Sequence, residues 1–437
     1  MAPALTTALL TDHYELTMMQ AALHSGVAHR RTIFEVFARH LPHGRRYGVV
    51  GGIGRLLDAI ENFRFDSETL EFLAAAAIID RRALDYLESY RFTGDIWGYG
   101  EGDCYFPGSP ILVVEGTFAE TVLLETIALS ILNHDSAIAS AASRMVTAAG
   151  DRPLIEMGSR RTHELAAVAS ARAAYIAGFA STSNLQARKS FGIPSTGTSA
   201  HAFILVHDSE RHAFASQLEA LGAGTTLLVD TFDVARAVRT AVELAGPGLG
   251  AVRIDSGDLA VVAREVRALL DSRGAVTTRI VVTGDLDEYA IASLAATPVD
   301  GYGVGTALVT GSGAPTASLV YKVVARADRD GDDARLRPVA KRSVGKPGRG
   351  GRKWAVRHTD DGGTALEEVI TLAPPEPGPY DRPLLRPLVL KGEIVGRESA
   401  ADARERHVRA LAELPPQAMQ LSRGDPAIPT VFHPNGE

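Results

Sequence analysis

The sequence predicts an α/β protein centred on a barrel-like domain of parallel strands, and three observations carry that prediction. From Asp151 onward, short apolar runs with polar, glycine-containing tails alternate with helical segments. A strand joined to the next through a helix is how parallel neighbours are connected. Five or six such units suit a barrel better than a small open sheet, and 46% hydrophobic against 22% charged residues supplies the core it needs. At roughly 150 residues per domain, 437 residues predict about three units. These are an amino-terminal α+β segment with linking helices over 1–150, the barrel-like catalytic domain over 151–320, and carboxy-terminal strands, a basic loop and a wrapping tail over 321–437.

Each element has its own signal. TDHYELTMMQAALHSG is a helix capped by Thr11 or Asp12 and stopped by Gly26, and TIFEVFARH alternates as a strand. LAAAAIID is an Ala-rich packed helix. GDIWGYGEGDCYFPGSPILVVEGTF gives short strands broken by Gly and Pro, and ETVLLETIALSILNHDSAIASAASRMVTAAG an apolar-periodic stretch of two helices. The barrel strands are RPLIEMGSRR, TTLLVDTFD, AVRIDSGD, RIVVTGD and VDGYGVGTA. Between them HELAAVASARAAYIAG, VARAVRTAVELAG, LAVVAREVRALLDSRG and LDEYAIASLAA have helical periodicity. SLVYKVV is a further strand. The stretch from Lys341 to Lys353 holds six Lys or Arg and reads either as a solvated hairpin or as part of an anion site. PPEPGPYDRPLLRPLVLKG wraps a domain surface, and AADARERHVRALAEL ends the chain with a helix.

Composition narrows the function. With 45 Lys+Arg against 52 Asp+Glu, a net charge of −7 and a pI near 6.0 disfavour a nucleic-acid binder, which needs a concentrated cationic surface. One cysteine, Cys104, rules out an intramolecular disulfide and a multi-thiolate zinc site. The first twenty residues include Asp12 and Glu15 and do not read as a secretory signal. No uninterrupted apolar run approaches the ~18 residues of a membrane span. A soluble, cytoplasmic protein without membrane or nucleic-acid partners is the expectation.

In parallel α/β folds functional groups gather at the carboxyl ends of strands. Those ends carry Arg160 and Arg161; Asp230 and Asp233; Arg253, Asp255 and Asp258; Gly284 and Asp285; and Gly303, Gly305 and Thr306. The competing reading is helix N-capping, which weighs most at Asp258 and Asp287. Gly303-Val304-Gly305-Thr306 offers unhindered N–H groups to an anion, and with Gly284-Asp285 one unit earlier it suggests a phosphosugar site. Neither a Walker A sequence nor a GxGxxG fingerprint is present. In GIPSTGTSAHAFI, His201 gains interest from Asp230 at the next strand end. A carboxylate holding one imidazole nitrogen leaves the other as acceptor or nucleophile. His163, His207 and His212 lack such context and are read as surface or helix residues.

TDHYELTM, EMGSRRTHE, GTSAHAF, LVDTFDV, VRIDSGDL, VTGDLDE, YGVGTALVT and VYKVV, in that order, resemble nicotinate phosphoribosyltransferase, from about Leu10 to about Trp354. The resemblance implies the type II phosphoribosyltransferase architecture, an irregular (β/α) barrel-like domain with an amino-terminal α+β sandwich-like domain. It implies transfer of phosphoribose from 5-phosphoribosyl 1-pyrophosphate to nicotinate in NAD biosynthesis, with release of pyrophosphate and coupling to ATP hydrolysis through a phosphohistidine. On this resemblance His201 is the histidine that ATP phosphorylates and Asp230 its orienting carboxylate. Tyr14 stacks on the pyridine across a homodimer interface that shares the active site, Thr198 and Arg253 contact nicotinate, and Asp255 holds ribose hydroxyls. Gly284, Gly303, Gly305 and Thr306 cradle the 5′-phosphate. Lys322 and Lys341 meet pyrophosphate or ATP phosphates, and Arg39, Arg160 and Arg161 are further anion contacts. Mg²⁺ would ride on the pyrophosphate with few protein ligands, so no protein metal site is expected.

Two positions depart from nicotinamide-using relatives. Met157 precedes Gly158 where they place an aromatic, and a thioether can still pack on a ring face. Ser183 stands where they place an aspartate that accepts the amide N–H; a neutral Ser with Arg253 nearby admits the acid. The alternatives are nicotinamide phosphoribosyltransferase, a quinolinate enzyme, which would call for more basic strand ends, and a catalytically silent metabolite-binding homologue.

Overall fold

The computed structural model describes residues 6–331, 333–341 and 348–433. The chain forms two compact units, Met1–Ser140 with Thr316–Glu437, and Ala141–Pro315. The carboxy-terminal segment that the sequence sets apart therefore folds with the amino-terminal one. The reason lies in strand pairing: Arg31–Ala38 is flanked by Leu112–Thr117 on one side and by Leu319–Ala327 on the other, both antiparallel. These belong to a seven-stranded sheet ordered Leu336–Pro338, Leu319–Ala327, Arg31–Ala38, Leu112–Thr117, Asp95–Gly98, Arg386–Leu390 and Glu393–Ile394. A four-stranded sheet of Asp381–Pro383, Trp354–Thr359, Ala365–Thr371 and Thr430–His433 and a two-stranded one of Gly48–Val49 and Cys104–Tyr105 belong to the same unit. Part of the Pro-rich tail thus supplies strands, while its residues 376–380 lie exposed.

The first helix runs His13–Ser25 from Asp12 to Gly26, whose φ of 76° is the left-handed conformation that ends helices. LAAAAIID departs from expectation. The helix Ser67–Ala75 stops within it and Ala77 takes a φ of 51°. Its alanines are exposed, whereas Leu73 and Ile79 are buried and Asp80 caps the next helix through Ala83 N–H. The long helical stretch is two helices, Phe118–Val122 and Glu125–Ala149. By length and composition Phe118–Ala149 could cross a membrane, but 67% of its most apolar window is buried in the fold. Buried Asp135 pairs there with Arg55, and Arg144 with Glu288.

The basic stretch resolves into internal pairs at its end. Lys353 Nζ donates to buried Glu35 Oε2 at 2.6 Å. Arg352 donates to Glu115 at 3.0 Å, and its guanidinium lies 3.5 Å from the Trp354 ring centroid. Arg342 and Lys346 lie outside the described residues. Burial pushes Glu35 up and Lys353 opposes it. Lys353→Met should therefore cost about 3–5 kcal/mol, because it strands a buried carboxylate; urea unfolding of the variant beside Lys353→Met/Glu35→Gln, which should recover part of the loss, checks this.

The second unit holds six parallel strands ordered Ser181–Thr182, Leu154–Glu156, Gly301–Val304, Arg279–Val282, Ala251–Ile254 and Thr226–Leu228. Val252, Ile254, Ile280, Val282, Tyr302 and Val304, alternate positions that share one face of their strands, are completely buried. Among the described residues the two edge strands do not pair with each other, so the sheet is an incomplete, irregular barrel. The helices Glu164–Ile176, Val234–Ala245, Leu259–Ser272 and Glu288–Ser293 fall where the periodicity places them.

Candidate active site

Strand ends in the second unit converge their polar groups. Asp230 follows Thr226–Leu228 by two residues and is nearly inaccessible, its side chain 2% exposed. Its Oδ2 accepts from Asp255 N at 2.8 Å and Ser256 Oγ at 2.7 Å, which ties two adjacent strand ends together. Its Oδ1 is buried without a hydrogen-bond partner among the described residues and stands 4.0 Å from His201 Nε2. Asp255 Oδ2 is 3.9 Å from the same nitrogen, and Asp255 Oδ1 accepts from the Thr283 hydroxyl. His201 opens the short helix His201–Leu205, and its Nδ1 lies 3.0 Å from Thr231 Oγ1. The structure thus brings His201 and Asp230 together but assigns the direct hydrogen bond on the ring to Thr231, which the sequence reading missed. Thr231 adjoins Asp230 in the sequence, but adjacency alone does not say which of the two side chains reaches the ring.

Arg253 Nη1 donates to Thr198 Oγ1 at 2.6 Å, so the two expected nicotinate contacts touch. Among the described residues Arg253 makes no ion pair, and its buried Nε has no partner. Burial lowers its affinity for the proton, opposed by Asp255 and Asp230 and reinforced by Arg160. A desolvated guanidinium with open donors is suited to a carboxylate held in its fork. Arg160 and Arg161 are exposed, on and just after the turn Gly158–Arg160. Ser183 is exposed just beyond Ser181–Thr182, with its N–H donating to Glu156 O at 2.8 Å.

The glycines do different jobs. Gly284 has a φ of 105°, and a Cβ there would sit 2.6 Å from Asp255 O, so only glycine fits. At Gly303 a Cβ would meet Thr283 Cγ2 at 2.5 Å and Met157 Sδ at 2.7 Å. The space beside Gly303 is therefore filled by Met157, which accounts for this glycine by packing. Gly305 and Thr306 follow at the strand end, where a Cβ on Gly305 would make only ordinary contact. Asp233, Asp258 and Asp287 are helix caps, accepting from Arg236, Val261 and Ala290 N–H respectively. His163 caps Glu164–Ile176, and His207 faces Phe203 O at 2.7 Å.

The remaining candidates belong to the other unit. Tyr14 is 44% exposed, and burial with Glu125, Glu15 and Asp12 beside it pushes its phenol up to about 12. Lys322 Nζ stands 3.7 Å from Glu125. Lys322, Lys341 and Arg39 line a cavity of about 800 Å³ with Arg349 and the Glu35–Lys353 pair. Cys104 is buried and its thiol pushed up to about 12, which leaves it inert.

Residues 9–133 match the nicotinate phosphoribosyltransferase N-terminal domain, and residues 138–313 the quinolinate phosphoribosyl transferase C-terminal domain. A nicotinate phosphoribosyltransferase of Mycobacterium tuberculosis (strain H37Rv) is 58% identical over 97% of this chain and 94% of its own length. The chain belongs to the nicotinate phosphoribosyltransferase family. A second family member from the same organism is 38% identical over 95% of this chain and 89% of that protein. Among solved structures, human nicotinic acid phosphoribosyltransferase superposes with a TM-score of 0.82 at 25% identity, covering 97% of each chain. The nicotinate-nucleotide pyrophosphorylase of Pyrococcus furiosus gives 0.77 at 26%, covering 93% of this chain and 95% of its own. Among the described residues the site thus sets a guanidinium outside any ion pair, Arg253, near an imidazole, His201, that faces two carboxylates.

Proposed function

We propose that this family member joins nicotinate to 5-phosphoribosyl 1-pyrophosphate, giving nicotinate mononucleotide and pyrophosphate in NAD biosynthesis, and that ATP hydrolysis drives the transfer through phosphorylated His201. The observation that supports it most is Arg253: a desolvated guanidinium, bonded to Thr198 and, among the described residues, in no ion pair, beside the Asp230–His201–Asp255 cluster. In the transfer, the C1–O bond to pyrophosphate breaks with oxocarbenium-like charge on C1, and the pyridine nitrogen supplies the new bond. Positioning and electrostatics, rather than proton transfer, set the rate. Arg253 and Thr198 orient the acid, Asp255 holds ribose hydroxyls, and the Gly284 and Gly305–Thr306 ends receive the 5′-phosphate. In the coupling step an imidazole lone pair takes the γ-phosphoryl group of ATP and ADP leaves. Asp230 and Asp255 stabilise the charge that the ring acquires.

Tyr14 is proposed to stack on the pyridine from a second copy of the chain, and Lys322, Lys341 and Arg39 to meet pyrophosphate or ATP phosphates. Among the described residues no group of three or more His, Cys, Asp or Glu is placed to hold a metal ion. Mg²⁺ is accordingly proposed to arrive on substrate oxygens. The cytoplasm, where these phosphorylated substrates are made, is the proposed location.

Assay of the purified protein with nicotinate or nicotinamide, each with and without ATP, tests the reading. Mononucleotide from nicotinate, stimulated by ATP, is expected. Preference for nicotinamide would place the chain with the amide-using enzymes, and no product from either would make it a silent binding protein.

A further inference from the structure

Glu156 is a completely buried carboxyl that no ion pair compensates among the described residues. It ends the strand Leu154–Glu156, one residue before Met157 and two before the turn that carries Arg160. Its Oε1 accepts from Gly158 N at 2.5 Å and its Oε2 from Thr182 Oγ1 at 2.5 Å. Its own carbonyl accepts from Ser183 N at 2.8 Å. Thr182 Oγ1 in turn accepts from Asn184 N at 2.9 Å, and Asn184 Nδ2 donates to Ser159 Oγ at 3.0 Å. These bonds close a ring that runs Glu156, Gly158, Ser159, Asn184, Thr182 and back to Glu156 across two adjacent strand ends. Burial pushes the carboxyl up, and the bonds from Thr182 and Gly158 pull the other way. A lone buried carboxyl is a costly way to join two strands that the backbone ladder already pairs. What it adds is a fixed relation between the turn after Met157 and the turn bearing Ser183.

We propose that Glu156, acting through Thr182, is a positioning residue that sets the preference for a pyridine carboxylic acid over its amide. The inference rests on the proposed reading of Ser183 as a contact to the substrate's carboxylate. A hydroxyl held in place donates a charge-assisted bond to a carboxylate, about twice as strong as the neutral bond it would make to an amide. A Ser183 free to move loses more of the first than of the second, so slackening the ring lowers discrimination.

The readout is the ratio of kcat/KM for nicotinate to that for nicotinamide, in which the fraction of folded enzyme cancels. Thr182→Val removes one hydroxyl and keeps the branched side chain. It is expected to lower the ratio about three- to tenfold, the worth of one buried hydrogen bond. Glu156→Leu should lower it at least as far. Glu156→Gln can still accept from Gly158 N and donate to Thr182 Oγ1, and should stay within about twofold of wild type. Because both changes cut the same ring, Glu156→Leu/Thr182→Val should do no more than the larger single change. Ser183→Asp is the control on the underlying reading and should turn preference toward nicotinamide. If Ser183→Asp leaves the ratio unchanged, the reading of Ser183 falls. If it shifts the ratio while Thr182→Val and Glu156→Leu lower only the melting temperature, Ser183 keeps its role and the positioning role of Glu156 is overturned. Should Glu156→Leu fail to fold, Thr182→Val decides alone.

Discussion

On the proposed phosphohistidine coupling, His201→Ala is expected to abolish ATP stimulation completely while leaving transfer in the absence of nucleotide unchanged from wild type. The transfer proposed above needs little proton movement, so the ring is not assigned to it. What it offers is a nitrogen facing two carboxylates, Asp230 Oδ1 at 4.0 Å and Asp255 Oδ2 at 3.9 Å. Such a pair stabilises an imidazole that gains positive charge on becoming phosphorylated. On the proposed coupling, losing the ring removes the group that would carry the phosphoryl group of ATP. Incubation with γ-labelled ATP should give acid-labile label on wild type and none on the variant. Asp230→Asn should be labelled more slowly while the basal rate persists. A variant that keeps ATP stimulation would sink the phosphohistidine reading and leave the transfer chemistry intact.

The second large effect is at Arg253. Arg253→Ala removes the cation proposed to take the acid, and it leaves the Thr198 hydroxyl without its 2.6 Å partner. Stranding a charged substrate group costs on the order of 4 kcal/mol, about a thousandfold in kcat/KM for nicotinate. Nicotinamide, which carries no charge, should lose far less, so the variant's preference for the acid collapses. Arg253→Lys keeps the charge and loses the planar fork, and should recover only part of the activity. Steady-state kinetics with both pyridines separate these outcomes. Equal losses on acid and amide would show that Arg253 supports the strand end rather than the carboxylate.

How far the sequence is legible depends on whether an element is specified by its neighbours in the chain. The strands Ala251–Ile254 and Arg279–Val282 are short runs dominated by Val and Ile ahead of Asp255 and Gly284, and their place in the sheet follows from composition. Asp258 and Asp287 are caps because a short carboxylate before a helix finds orphan N–H groups. Ser181–Thr182 is two residues long and shows no period at all; only the parallel partner Ile155–Glu156 makes it a strand. Lys353 reads as a solvated cation in a basic run because nothing nearby in sequence announces Glu35, more than 300 positions earlier. The same distance hides the union of the two chain ends in one sheet. At the site, residue types were readable, while the choice of Thr231 over Asp230 for the hydrogen bond to His201 is a matter of a few ångströms that spacing does not encode.

That union of chain ends also orders events in time. Ala141–Pro315 is one continuous stretch and holds all its strands once residue 315 has been synthesised. Arg31–Ala38 must wait for Leu319–Ala327, which leaves the ribosome roughly 280 residues later, on the order of 15–60 s at ~5–20 residues per second. Throughout that interval one edge of a largely buried strand, with Ile33, Phe34 and Val36, lies open to any other nascent chain. A product cut short before residue 319 would keep that edge permanently, so premature termination should yield aggregates rather than a working half, and synthesis of this protein should lean on chaperones most heavily just before its last quarter emerges.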